Sequence, residues 1–248
     1  MNLPFDLSLG AAAYLAAVIF ISAFIRGFSG FGYPVLLIAA GALVTNPLTL
    51  VPMAILGDLL LCAQHWRAAR AHVHWPTVLR LCAGASLGIL AGIWTLAMIS
   101  EEVARIVVGV MVLLASIVMF GGWTLPGRAG PAASIGMGVV SGLSAPAGVA
   151  GPPAVMAVTA LGLPPLVFRA TLLAYFVALD SMTFGQFVVA GRVDMETMVA
   201  TALSVPMVII GSALGARQVM RADPIKFRRA TISVLMLMAI LGLGKALL

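Results

Sequence analysis

Apolar segments separated by short polar or glycine-rich stretches run through the whole chain. They lie at roughly 9–26, 33–44, 47–64, 76–98, 103–122, 131–143, 152–163, 165–190, 195–216 and 225–247. A helix needs about 20 apolar residues to cross a bilayer, so the segments at 33–44, 131–143 and 152–163 are too short to cross alone. Each belongs either to a half-helix hairpin that enters from one side or to a shortened, tilted crossing. The pattern predicts an all-α polytopic membrane protein.

Two stretches dense in glycine and proline interrupt this pattern. They are RGFSGFGYP at 26–34 and SGLSAPAGVAGPP at 141–153. Both residue types break helices, because glycine costs backbone entropy and proline lacks the N–H. Within lipid, broken backbone survives only where it is buried in protein or lines a cavity. Interrupted segments in matching halves are typical of a transporter's binding site, so we predict that the two stretches form the walls of one central site.

Composition agrees with the membrane assignment and limits the classes of function. The 248 residues are 62% hydrophobic and 9% charged, against about 25% charged in a soluble domain. The net charge of +6 is explained by topology and lipid contact, and we expect no nucleic-acid partner. The sequence has no nucleophile elbow, no phosphate-binding loop and no metal-ligand spacing. We therefore expect no enzyme, no cofactor and no metal, and any active transport must draw on ion gradients.

The two halves of the chain resemble each other. Ordered matches include Gly27 and Ser29 with Gly142 and Ser144 at an offset of 115, and Gly88 and Gly92 with Gly211 and Gly215 at an offset of 123. The matches predict a first transmembrane repeat at 1–122, a connecting loop at 123–130 and a second repeat at 131–248. Each repeat has four to five helical elements, broken at the glycine- and proline-rich stretches.

Charge predicts how the repeats are oriented. The loop at 65–75 and the loop at 217–229 are both basic, yet they occupy different places in the repeat. Basic loops remain in the cytoplasm, so the two repeats have inverted topology. Both termini then face outward, and the connecting loop with Arg128 faces inward.

Several motifs carry a resemblance to a known family. The first half contains RGFSGFG and VHWPTVLRL, and the second contains GPP, LGLPPLVFRATLLAYF and DPIKFRR. This set resembles the TauE/SafE sulfite exporter family over nearly the whole chain, most specifically at 26–32, 151–153 and 168–171. The resemblance implies that the protein moves sulfite or organosulfonates. The inverted repeats predict a secondary transporter that works by alternating access, and we expect it in the cell inner membrane. The alternatives are a transporter of another small anion such as a carboxylate, and an intramembrane enzyme; a homodimer is a further expectation.

Arginines and half-helix ends are the candidate substrate ligands. Arg26 precedes the first break and Arg169 opens the segment at 165–190; the fork of each suits an oxyanion, although either could instead anchor at the membrane surface. Helix N-termini attract anions through free N–H groups, although small residues there also serve tight packing. The predicted substrate-binding residues are Arg26, Ser29, Gly30, Gly32, Ser144, Ala147, Gly148, Gly151, Arg169 and Gln186.

Asp58 and Asp180 are the acids deep within apolar runs. Each is either a proton carrier for coupled transport or a structural partner for an arginine. The alignment of the halves places them on the same face of equivalent helices. His65, His72 and His74 are expected to be solvated loop residues rather than metal ligands.

Overall fold

The computed structural model describes residues 4–98, 101–120 and 130–218, with the isolated positions 233 and 240. The helices in these residues are α1 (Leu9–Ser29), α2 (Tyr33–Gly41), α3 (Pro47–Ala69), α4 (Trp75–Met98), α5 (Glu101–Phe120), α6 (Pro131–Ser144), α7 (Gly151–Thr159), α8 (Pro165–Val189) and α9 (Met195–Gln218). Apart from the two isolated positions, the last predicted segment lies outside the described residues. The same is true of the connecting loop up to residue 129 and of the basic residues at 221–229.

Five of the described stretches are long and apolar enough to cross a membrane. They are Leu9–Ser29, Pro47–His72, Trp75–Thr95, Pro165–Val189 and Met195–Gln218. Large apolar side chains remain exposed on their outer faces, among them Leu87, Trp94 and Leu203. Such faces are suited to contact with lipid, where apolar exposure has no hydrophobic cost. The prediction of an all-α polytopic membrane protein is confirmed.

The two glycine- and proline-rich stretches break the helices at the predicted places. Gly30 ends α1 with φ of 85°, and Gly32 precedes α2 with φ of 100°. In the second stretch, a short 3-10 turn ends at Gly148, where φ is 73°, and α7 begins at Gly151. These left-handed angles are accessible to glycine at little cost. The half-helices α2 and α7 have nine residues each, so each rises only about 13 Å of the roughly 30 Å hydrocarbon core.

Glycine contacts bring two pairs of helices unusually close. A Cβ added to Gly27 of α1 would lie 2.2 Å from the carbonyl oxygen of Ser212 in α9. A Cβ added to Gly142 of α6 would lie 2.3 Å from the carbonyl oxygen of Ala85 in α4. Since real Cβ atoms do not approach backbone atoms this closely, only glycine permits these crossings.

The same contacts correct the predicted register between the halves. The defining contacts are Gly84 with Ile135, Gly211 with Phe20, Gly88 with Val139, and Gly215 with Phe24. The contacted residues on α6 follow those on α1 by 115 positions, which is the offset predicted for these two helices. The glycines that contact them therefore correspond as Gly84 to Gly211 and Gly88 to Gly215, at an offset of 127. The predicted offset of 123 for α4 and α9 is therefore wrong by about one helical turn.

The centre of the bundle is formed by α3 and α8, which pack against each other. The half-helix α2 packs on α3, and α7 packs on α6 and α8. Outside this centre, α4 contacts α8 and α9 contacts α3. The arrangement brings both broken stretches against the middle of the two central helices, where Asp58 and Asp180 lie.

Candidate functional site

A buried ion pair joins the end of α1 to the middle of α3. Nε of Arg26 donates to Oδ1 of Asp58 at 2.7 Å, and Nη2 donates to Oδ2 at 3.2 Å. Arg26 is 6% exposed and Asp58 is 2% exposed. The bidentate geometry satisfies a planar guanidinium, and burial rules out the reading in which Arg26 reaches lipid headgroups. Of the two roles considered for Asp58, the structure shows the arginine partner.

Further contacts fix the Arg26 guanidinium in place. Its Nη1 donates to the carbonyl oxygen of Gly30, and its Nη2 lies 3.2 Å from Sγ of Cys62. The guanidinium carbon lies 5.4 Å from the ring centroid of Phe176 in α8, within the range of a cation–π contact. Arg26 therefore links α1, the first break, α3 and α8. Its charge has a fixed position in the centre of the protein.

Arg169 reaches the first break from the other half of the chain. It lies in the second turn of α8, and its Nη2 donates to the carbonyl oxygen of Gly27 at 3.1 Å. Its side chain passes over Gly30, where an added Cβ would lie 3.5 Å from Nε. Arg169 is half-buried. In the described residues its guanidinium makes this one hydrogen bond, so most of its N–H groups are available to a ligand.

A pocket of about 190 Å³ lies between the two arginines. Residues from α1, α3 and α8 line it; they are Arg26, Gly27, Gly30, Leu61, His65, Ala68, Ala69, Leu166, Arg169, Ala170 and Leu173. The lining contains two arginines and a histidine, and none of these described residues is acidic. Positive charge in a partly closed cavity with apolar walls favours a small anion.

His65 is a member of this pocket that the sequence reasoning missed. We expected a solvated loop residue, but His65 lies within α3 and is half-buried. Its Nε2 is 3.1 Å from the hydroxyl oxygen of Ser212 in α9. His72 is exposed, while Nδ1 of His74 pairs with the hydroxyl of Thr77. The predicted apolar segment ends at residue 64, but α3 continues beyond it and includes His65. Hydropathy therefore did not show that His65 lies on a helix.

A second, smaller cavity of about 20 Å³ lies where the two broken stretches meet. Its lining includes Gly32, Pro34, Gly148, Ala150, Gly151, Asp58, Phe176 and Asp180. This volume holds about one water molecule, which is too little for a sulfur oxyanion. Two acids line it, so an anion is also disfavoured by charge. Of the predicted substrate ligands, Gly32, Gly148 and Gly151 lie here, and Ala147 is buried beside them.

The predicted single cage is therefore divided into two cavities in this conformation. The larger cavity contains Arg169 and Gly30, and the smaller one contains Asp180 and the second break. Arg26 lines the larger cavity, while its partner Asp58 lines the smaller. The ion pair and the Phe176 ring that packs on it form the partition between them.

The serines of both breaks bond to their own backbone. The Ser29 hydroxyl lies 2.8 Å from the carbonyl oxygen of Ile25 and 2.7 Å from that of Phe31. The Ser144 hydroxyl lies 2.9 Å from the carbonyl oxygen of Val140. Each hydroxyl bonds back to the carbonyl four residues earlier in its own helix, so in this conformation it is engaged with the backbone at the break.

The second break is held by a hydroxyl relay that the sequence reasoning also missed. Tyr175 of α8 donates to the Ser141 hydroxyl at 2.8 Å, and Ser141 donates to the carbonyl oxygen of Ala150 at 2.7 Å. At the offset of 115, Ser141 occupies the place of Arg26 in the first half. The first break is thus tied to the central helices by charge, and the second by neutral hydrogen bonds.

Asp180 faces the small cavity and is 7% exposed. It lines the same cavity as Asp58, and its Oδ2 has no hydrogen-bond partner among the described residues. Gln186 lies six residues further along α8, about 9 Å along the axis, and lines neither cavity. The structure thus brings together Asp58, Asp180 and Arg26 but not Gln186.

Comparison with known proteins identifies the family. The model of the sulfite exporter TauE/SafE family matches residues 15–241. The chain belongs to the TauE/SafE family. A curated relative, the probable sulfite/organosulfonate exporter TauE of Cupriavidus necator, is 25% identical over 254 aligned positions, which cover 97% of this chain and 91% of the relative. No solved structure is significantly similar to the chain. This TauE/SafE protein is a membrane transporter and not an enzyme.

Proposed function

We propose that this TauE/SafE protein is a secondary transporter of small sulfur oxyanions such as sulfite or an organosulfonate. The observation that carries the proposal is the pocket of about 190 Å³ between Arg26 and Arg169, whose described lining has no acid. The name of the Cupriavidus necator relative supports the choice of substrate class. The chain has no part that resembles an ATPase, so the electrochemical gradient drives the transport.

The two arginines have different parts in this proposal. Arg26 provides a fixed positive charge, because Asp58, Gly30 and Cys62 accept from four of its five N–H groups. Arg169 has free N–H groups that can donate to two oxygens of a sulfite or sulfonate. The substrate therefore binds chiefly to the Arg169 fork, with the field of Arg26 behind it.

Alternating access fits the partition between the cavities. In this conformation the larger pocket extends to Ala68 and Ala69 at the basic end of α3. By the rule that basic loops remain inside, this end faces the cytoplasm, and both termini face outward. We infer that the structure is open towards the cytoplasm, the side from which an exporter of the cell inner membrane takes its substrate.

Inverted repeats would provide the second conformation. Helices α1, α3 and α4 of the first half correspond to α6, α8 and α9 of the second. The contact of α1 with α9 therefore corresponds to that of α6 with α4, and the contact of α3 with α9 corresponds to that of α8 with α4. Any two repeats related by a two-fold axis make such exchanged contacts, and the basic loops predict that these repeats are inverted. Rocking of one inverted repeat against the other moves the access from one side to the other. Labelling of introduced cysteines checks the orientation: position 70 should react from the cytoplasmic side and position 192 from outside.

Binding and transport by purified protein test the proposal. Sulfite, a short alkylsulfonate, sulfate and acetate are titrated calorimetrically, and the bound anion is then followed through protein in liposomes. Arg169→Ala should weaken binding about ten- to a hundredfold, because a hydrogen bond to a charged group contributes about 1.5–3 kcal/mol. Arg169→Lys should restore only part, since lysine keeps the charge and loses the fork. The matched control is Arg192→Ala, an exposed arginine after α8.

The outcomes separate the alternatives. Acetate binding more tightly than the sulfur anions would favour a carboxylate transporter. Arg169→Ala with wild-type affinity, in folded protein, would show that the anion binds elsewhere.

A further inference from the structure

Two acidic residues, one from each central helix, line the small cavity. Asp58 comes from α3 and Asp180 from α8, and both are more than nine-tenths buried. Both line the same cavity of about 20 Å³, which has room for about one water molecule. Two ionised carboxylates in one small buried cavity repel each other and have no donor between them, whereas a proton on one of them removes the repulsion and supplies a donor. The burial of both acids in one cavity therefore favours a proton on the pair.

The charges around the pair lead to the same result. Arg26 is the cation that touches the pair, and its bidentate contact goes to Asp58. Asp180 has no cation of its own in the described residues, and its Oδ2 has no partner. With both acids ionised, the centre would carry one uncompensated negative charge in a site that holds about one water molecule.

The other groups near the pair do not provide the missing positive charge. The titratable groups that face it are Arg26 from α1, Tyr33 from α2, Cys62 from α3 and Tyr175 from α8. All of these except Arg26 are neutral in their ordinary form. The nearby start of α7 has Pro152 and Pro153, and that of α2 has Pro34, so these helix ends lack several of the N–H groups that could bind a carboxylate.

We propose that Asp58 and Asp180 share one exchangeable proton, and that this proton and an anion in the pocket between Arg26 and Arg169 favour each other's binding. The second part rests on the proposed function. Arg26 connects the two sites, because it lines the anion pocket and pairs with Asp58. A bound anion adds negative charge on one side of Arg26, and a proton removes negative charge on the other. By linkage, anion binding takes up a proton, and anion affinity falls as pH rises.

The shared proton is tested first, without any anion. Infrared difference spectra of the folded protein are recorded across a pH titration, and the carbonyl stretch of a protonated carboxyl group is followed. The wild type should show this band, and Asp180→Asn should lose it. Asp194→Asn is the matched control, since Asp194 is an exposed aspartate outside the cavity. A wild type with no such band, or a band unchanged in Asp180→Asn, would overturn the shared proton.

Linkage is tested with a short alkylsulfonate, which keeps its single charge over the pH range. Binding is measured calorimetrically in two buffers with different ionisation enthalpies, which gives the number of protons taken up. Wild type should take up as much as one proton per anion, and its affinity should fall by up to about tenfold per pH unit as the pair loses its proton. Asp180→Asn, with a neutral amide in place of the protonated acid, should bind without proton uptake and without this pH dependence.

The measurements distinguish the two proposals. Anion binding without proton uptake at any pH would overturn the linkage and leave the transporter proposal standing. Absence of anion binding would overturn the proposed substrate class, and the infrared experiment on wild type would still decide whether the proton is there. If Asp180→Asn does not fold, proton uptake by wild type alone supports or refutes the linkage.

Discussion

Gly142→Ala should separate α6 from α4 and destabilise the protein. Gly142 lies on α6 two residues before its end, at the start of the second break. An added Cβ would lie 2.3 Å from the carbonyl oxygen of Ala85, 2.7 Å from its Cα and 2.9 Å from its carbonyl carbon. The obstacle is backbone on a neighbouring helix, so it cannot be relieved by a change of rotamer.

The expected magnitude follows from two opposing effects. To reach a separation of 3.0 Å from the Ala85 oxygen, below which real Cβ contacts essentially do not occur, the helices must move apart by at least 0.7 Å, the difference from 2.3 Å. Overpacking of this kind costs about 1–3 kcal/mol. The opposing effect is helix propensity, because alanine within a helix is about 1 kcal/mol more favourable than glycine. The difference between these two effects is a net loss of up to about 2 kcal/mol.

Gly136→Ala on the same helix is the matched control. Gly136 is exposed, and an added Cβ there would meet no atom within 4 Å. This variant has the helix gain without the clash and should be neutral or slightly stabilised. The assay is the unfolding midpoint of both variants in the same detergent, followed by size-exclusion chromatography after heating. A midpoint for Gly142→Ala equal to or above that of Gly136→Ala would refute the close backbone crossing.

Two further predictions concern charged groups. Arg26→Ala should destabilise the protein by about 3–5 kcal/mol, because it leaves the buried Asp58 carboxylate without its cation. The double variant with Asp58→Ala should regain stability. A double variant whose loss of stability equals the sum of the two single losses would contradict the pairing. Asp194 accepts a hydrogen bond from the Thr197 amide at 2.7 Å at the start of α9, and hydrogen bonds from Thr197 lower the pKa of this carboxyl. The bond therefore stabilises α9 at neutral pH, and its contribution is lost as pH falls through the lowered pKa. Asp194→Ala should cost about 1 kcal/mol of stability at pH 7, and Asp194→Asn should be close to wild type. Thermal midpoints at neutral and acid pH measure both effects. Equal midpoints at pH 7 for the wild type and the two variants would contradict this stabilisation of the helix start.

The sequence by itself determined the membrane class and the position of the breaks. Hydropathy over about 20 residues reports whether a helix is stable in lipid, and this property is local. The conformations at Gly30, Gly32 and Gly148 are also local, since each needs a left-handed backbone that glycine adopts easily. The half-helices α2 and α7 follow from these breaks together with the short apolar segments.

Only the tertiary structure decided how the candidate site is arranged. Arg26 and Asp58 are 32 residues apart, and no local pattern shows that one guanidinium would pair with that carboxylate and not with Asp180. The sequence placed both breaks in one cage, while the packing of α3 on α8 put the Arg26–Asp58 pair and Phe176 between two cavities.

The register of the outer helices also required the structure. Glycines recur along α4 at Gly84, Gly88 and Gly92, so the sequence allows matches that differ by one turn. Which pair faces the neighbouring helix depends on how closely the backbones approach, and that distance results from all the side chains in the interface. The local signals therefore defined the helices and their breaks, and the close approach of distant backbones defined the site.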